Sequence, residues 1–263
     1  MVRGLLSCLG ALLVLTGCGG APPATDPPAT APTATAPRAT GDFAVLVFTR
    51  TAGFRHDSIQ VGLTALDRLA AREGFTVVAT EDPAQFSAAN LARYAAVVWL
   101  STTGDVLDPQ QQAAFEQYIR LGGGYVGVHA AADTEYDWAW YGGLVGAYFA
   151  SHPPIQPATV RVADPDHPST AGLPAAWIRT DEWYDFRTDP RSSVHVLATV
   201  DESTYQGAAM GGDHPIAWCH EYDGGRSWYT GLGHTAESYT EDEFLGHLHG
   251  GIRYAARGEG TCP

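Results

Sequence analysis

Three short apolar runs, Phe43 to Phe48 (FAVLVF), Ala95 to Leu100 (AAVVWL) and Tyr125 to Val128 (YVGV), constrain this chain more than any other feature. Each is uninterrupted rather than alternating, the pattern of a strand buried on both faces, as in parallel sheets covered by helices. The segments between them carry the helical period instead. Ser58 to Arg72 sets Ile59, Leu63, Leu66, Leu69 and Ala70 on one face, with Ser58 as its predicted N-cap. Asp108-Pro109 reads as a cap followed by proline at the first helical position, and the Gly122 to Gly124 triplet stops that helix. With Phe75 to Ala79 as a further strand, the order predicts an α/β fold: a doubly wound, mostly parallel sheet with helices on both faces.

In such a sheet, ligands sit beyond the carboxyl ends of the strands. Thr49 to Asp57, Ser101 to Asp105 and His129 to Thr134 follow three predicted strands and should therefore converge on one edge. The second half is less regular. Ala158 to Ala163, Val194 to Val200, Pro215 to Tyr222 and Arg226 to Gly231 read as strands, the last two joined by Asp223-Gly224-Gly225 as a hairpin turn. Glu241 to Ala256 reads as a closing helix, and residues 42–260 as one domain without internal repeats.

Ahead of this domain, one arginine precedes an apolar run ending in Leu15-Thr16-Gly17-Cys18, the order of an export signal over residues 1–17. Its ending resembles a bacterial lipobox, which predicts lipid attachment at Cys18, an exported protein and a membrane contact through that anchor alone. Residues 18–41, rich in Pro, Ala and Thr, cannot bury apolar area and read as an extended tether. Two further cysteines, Cys219 and Cys262, remain for a disulfide in an oxidising compartment.

Charge and composition exclude several functions. A net charge of -14 with no basic run argues against nucleic acid, whose phosphates need a basic face. All fifteen basic residues are arginines, so Schiff-base chemistry, pyridoxal phosphate attachment and a Walker lysine are unavailable.

What remains is rich in histidine at strand ends. GGGYVGVHAAADT (Gly122 to Thr134) is a strand-to-turn elbow lined by small residues, where a nucleophile elbow would expose Cys or Ser, yet it delivers His129. Arg50 to Ile59 combines a glycine hinge, Arg55 and His56 ahead of a helix N-terminus, where an anion or electron-rich oxygen is favoured. His56 and Asp57 could equally serve only as caps there. Tyr229 to Thr235 again runs from a strand through glycines to His234. Asp181 to Phe186 (DEWYDF) interleaves carboxylates, Glu182 among them, with Trp183 and Tyr184, which suits sugar hydroxyls and pyranose faces or, alternatively, the core.

GFRHDSI, GGGYVGVHAAADT, ASHPP, DHPSTAGLP, DEWYDF, HPIAWCHEYDGGRSWYTGLGHT and FLGHLHGGIRYA, in this order over about residues 43–257, resemble the ThuA-like, or trehalose-utilisation, family. The resemblance implies a flavodoxin-like fold similar to class I glutamine amidotransferases, and a link to disaccharide or 3-keto-sugar metabolism. Those amidotransferases need an elbow cysteine, and His129 stands in its place, so glutaminase activity is set aside.

Three readings of function follow. In one, His129, His56, His234 and Glu182 carry acid-base chemistry on a small carbohydrate held by Arg55, Asp133, Trp183 and Tyr184. In the second, His56, His129 and His234 ligate a divalent metal such as zinc, although neither HExxH nor paired CxxC spacing is present. In the third, the chain is a lipid-tethered sugar-binding or scaffold module without catalysis.

Overall fold

The computed structural model describes residues 43–262. The expected signal segment, the lipid site at Cys18 and the tether lie outside those residues. Elements follow in the order β1 (Ala44–Phe48), α1 (Ser58–Glu73), β2 (Thr76–Thr80), α2 (Ala88–Leu91), β3 (Ala96–Leu100), α3 (Pro109–Arg120), β4 (Gly124–Val128), α4 (Ala139–Val145) and β5 (Phe149–Ser151). The remainder is β6 (Gln156–Val162), β7 (Ala176–Asp181), β8 (Asp185–Phe186), β9 (His195–Val200), β10 (Pro215–Tyr222), β11 (Gly225–Thr230) and α5 (Asp242–Arg257).

Nine strands form one sheet in the order β2-β1-β3-β4-β11-β10-β9-β6-β7, and β5 pairs with β8 separately. The first five are parallel, with chain order reversing between β1 and β3, the flavodoxin-like arrangement. From β11 onward every pairing is antiparallel. Chain direction in β11 is thus shared by both halves, so the site end of the parallel half continues into the loop after β11.

Side chains alternate across the sheet and meet different helices. Trp99 on β3 packs its ring against Phe115 of α3 and Tyr141 of α4. On the opposite face, a Cβ at Gly251 of α5 would lie 2.4 Å from the Trp228 indole of β11, so that helix approaches the sheet only through glycine. Cys219 of β10 is bonded to Cys262 in the C-terminal tail, their Cα atoms 5.9 Å apart.

The expected strands and helices agree with the structure to within about two residues, with one difference of role and one of extent. Asp108 caps α3 through its side chain, and Gln111 completes the capping box. Ser58 does not cap α1: Asp57 occupies that position without a side-chain bond, and the Ser58 hydroxyl donates to Gly233 O at 3.3 Å. The sheet also extends past the expected strands to β7, whose outward positions include exposed Ile178.

Candidate functional site

The loops after β1, β3 and β4 are stitched side by side by main-chain bonds. Ala52 N–H donates to Thr103 O at 2.7 Å, and Gly104 N–H donates to Asp133 O at 2.9 Å. Thr102 and Thr134 add a buried hydroxyl pair at 2.9 Å. These three segments carry Phe54 to Asp57, Ser101 to Asp105 and His129 to Thr134, and the loop after β11 brings His234 beside them.

His129 stands at the end of β4 with φ +50°, the left-handed conformation that a sharp strand-to-helix elbow imposes. Its main chain is held by Tyr229, whose hydroxyl donates to His129 O at 2.8 Å. Its Nδ1 lies 2.9 Å from Gly231 O; a carbonyl only accepts, so Nδ1 carries the hydrogen and Nε2 presents its lone pair. That Nε2 is 3.0 Å from His234 Nδ1 and 3.4 Å from Glu182 Oε2. Glu182 Oε2 is in turn 3.0 Å from His234 Nδ1.

His56 completes the group. Its ring centroid is 4.9 Å from that of His129 and 5.0 Å from that of His234, and those two are 5.0 Å apart, so the imidazoles form a nearly equilateral triangle. One ligand atom from each of His56, His129, Glu182 and His234 lies within 4.8 Å of every other. His56 Nδ1 is buried with no hydrogen-bond partner in the described structure, an arrangement that costs free energy unless something else occupies its lone pair.

Electrostatics keep His56 and Glu182 in ligand form. Burial, and then the neighbouring His129 and His234, push the His56 imidazole down to about 3, so it is neutral near pH 7. Burial pushes the Glu182 carboxyl up, but contact with His129 and His234 outweighs it and holds the group far below the usual carboxylate range. Asp133 behaves oppositely: burial raises it, although the Tyr136 hydroxyl donates to Oδ1 at 2.6 Å.

The other residues expected at the site divide. Tyr184 is buried with its ring centroid 4.1 Å from that of His129, a floor beneath the imidazole rather than a face for ligand. Trp183 is fully buried and donates its indole N–H to Gln156 O at 2.9 Å, so its ring has no face open to a sugar. The Arg55 guanidinium is engaged by Thr49 O at 3.1 Å and Glu81 at 2.6 Å. All three are thus engaged in packing or pairing within the fold.

Two residues were not singled out from the sequence. His152, in the ASHPP turn, is 41% exposed and places Nδ1 3.0 Å from Glu182 Oε1, so the carboxylate bridges an exposed imidazole, the buried His129 and the half-buried His234. Asp181 is fully buried and accepts the main-chain N–H groups of Gly233 at 2.9 Å and His234 at 3.0 Å, with Arg179 3.1 Å away. It fixes the loop that delivers His234. A carboxylate adjacent to Glu182 was visible; its aim at another loop was not.

The chain matches the family described as ThuA, trehalose utilisation, over residues 44–255. Among solved structures it is similar to a ThuA-like protein from Bacteroides uniformis, 28% identical with a TM-score of 0.69, over 88% of this chain and 95% of that one. A ThuA-like protein from Parabacteroides merdae is 23% identical with a TM-score of 0.70, over 84% and 92% of the two chains. A β-galactosidase from Bacillus circulans shares the fold alone, at 13% identity and TM-score 0.54, over 81% of this chain and 30% of its own. No curated protein matches.

Proposed function

Since the chain belongs to the ThuA, trehalose-utilisation, family and so has a carbohydrate-related role, we propose that His56, His129, Glu182 and His234 form a metal-assisted active centre for a disaccharide or 3-keto-sugar. The observation that carries this reading is the convergence of one ligand atom from each of these four residues within 4.8 Å of one another, together with the orphaned, buried Nδ1 of His56. A tetrahedral zinc with bonds of about 2.0–2.1 Å spaces its ligand atoms about 3.4 Å apart. The contacts between His129, Glu182 and His234 span 3.0–3.4 Å, which suits that spacing. A set of three imidazoles and one carboxylate suits zinc better than magnesium, which prefers oxygen ligands.

When bound, such an ion supplies a Lewis acid and an acidified water. The chain's own residues do the rest. The Gly231 carbonyl fixes the His129 tautomer, Tyr184 supports its ring, and Asp181 sets the position of His234. Asp133, raised by burial, holds a proton to higher pH than a free aspartate and exchanges it through Oδ1 or Oδ2 with a sugar oxygen. Export and lipid attachment at Cys18 belong to the same proposal and rest on the N-terminal sequence.

Elemental analysis of protein purified without added metal, paired with turnover of disaccharides and their 3-keto derivatives, tests the reading. Wild type should carry about one zinc and turn over at least one of these sugars; His129→Ala and His56→Ala should lose both properties. Turnover unchanged in both variants, or a wild type that stays metal-free after equilibration with zinc, sinks it.

A further inference from the structure

Phe54 is 67% exposed and is the only exposed Phe, Tyr or Trp among the described residues. Its ring centroid lies 4.9 Å from that of His56 with the planes at 87°, so it forms the outermost ring of a series that continues through His56 to His129 and His234. An exposed phenyl ring forgoes burial that a small rearrangement of a loose loop would provide. This loop is not loose. Gly53 N–H donates to Thr103 Oγ1 at 3.2 Å, the Thr103 hydroxyl donates to Phe54 O at 2.8 Å, and Arg55 ties the next residue to Thr49 O. The backbone on both sides of Phe54 is therefore held to neighbouring strand ends, and the ring is displayed in one place beside the centre.

A pyranose ring has an apolar C–H face and hydroxyls at its rim. Recognition of such a ring calls for a flat apolar platform near polar groups that meet the rim, and the centre beside Phe54 includes the Glu182 carboxylate with solvent-facing His152 on its Oε1. Trp183 and Tyr184 lie in the core and cannot supply it. We propose that Phe54 is the stacking platform of a pyranose subsite beside the His56/His129/His234/Glu182 centre, holding one ring of a disaccharide against it. The assignment rests on the carbohydrate reading of that centre. It differs from a merely protective role, in which Phe54 screens His56 from water, because screening needs bulk and stacking needs a flat face.

The test compares Phe54→Ala, Phe54→Leu and Phe54→Trp with wild type by titration calorimetry against trehalose and its 3-keto derivative, with zinc content measured on each. Stacking predicts a weakening of about three- to tenfold for Phe54→Ala, the loss of one ring contact, and comparable weakening for Phe54→Leu. Phe54→Trp should retain or improve affinity, and zinc content should stay as in wild type throughout. Wild-type affinity in Phe54→Ala or in Phe54→Leu overturns the subsite while leaving the metal centre standing. A wild type that binds neither sugar overturns the subsite together with the carbohydrate reading beneath it.

Discussion

Zinc should raise the melting temperature of the wild-type protein and hardly move that of His129→Ala. The four residues proposed as ligands come from loops after β1, β4, β7 and β11, so unfolding scatters them and an ion bound there would stabilise the native state alone. At a free zinc concentration 100-fold above Kd, that linkage is about 2.7 kcal/mol. For a domain of 150–250 residues each kcal/mol moves Tm by about 2–4 °C, which gives a rise of about 5–11 °C. His129→Ala removes the ligand whose lone pair is fixed by Gly231, leaving an incomplete set, and the rise at the same zinc concentration should fall below about 2 °C. The comparison is between shifts, not between melting temperatures, because losing a fully buried imidazole destabilises the fold by itself. Differential scanning calorimetry of chelator-stripped protein, with and without zinc, reads the effect, and magnesium serves as the control. Equal shifts in wild type and variant, or equal shifts from zinc and magnesium, would refute the ligand assignment.

Acid should destabilise the fold through histidines remote from the centre. Burial holds His247 down at about 3 and His167 at about 4, so between pH 6.5 and those values the unfolded chain binds protons that the native state does not. Stability present above pH 6.5 is then lost as pH falls, on the order of 2 kcal/mol from each by pH 4.5, and urea midpoints should show a shallower loss in His247→Gln. Opening the Cys219–Cys262 bridge, which spans 43 residues, should cost about 4 kcal/mol and lower Tm by about 8–16 °C; an unchanged Tm after reduction speaks against it. Asp181→Ala should weaken zinc binding about 10- to 100-fold by freeing the His234 loop, and should destabilise the protein by taking the nearer carboxylate from buried Arg179, which keeps Ser238 Oγ at 2.6 Å and Glu241 at 3.7 Å; zinc affinity equal to wild type would remove Asp181 from the site. Asp133→Asn should leave zinc content unchanged and lower turnover at least about 100-fold; activity within twofold of wild type excludes it as the acid.

The parallel half of the fold was legible because its strands are apolar on both faces, and continuous runs such as VLVF and VVWL have few other uses. β7 was not, for a specific reason. In AWIRTD the buried positions are Trp177, Arg179 and Asp181, while Ala176, Ile178 and Thr180 face outward. Charges that pair inside the protein invert the pattern by which a strand announces its inner face. The same inversion hid part of the site. His56, His129 and His234 could be picked out because glycines and strand ends expose a histidine to inspection, whereas the contacts that hold them depend on loops 50 or 100 residues away.

Local sequence also misdirected the reading of DEWYDF, where aromatics beside carboxylates suggested a sugar platform. Tertiary packing turned Trp183 and Tyr184 inward: Tyr184 lies against His129, and Trp183 packs near Tyr205 with its indole N–H on Gln156 O. The aromatic that does face solvent beside the centre is Phe54, in a motif whose polar residues drew attention away from it. The elbow shows the converse. His129 adopts a left-handed conformation without being glycine, and Gly231 and Tyr229 of the neighbouring strand hold it there. A backbone geometry suited to presenting a nucleophile is thereby retained, and its side chain is directed instead at two other imidazoles and a carboxylate. The fold therefore determines where chemistry occurs, and one residue at that turn determines which chemistry the turn can perform.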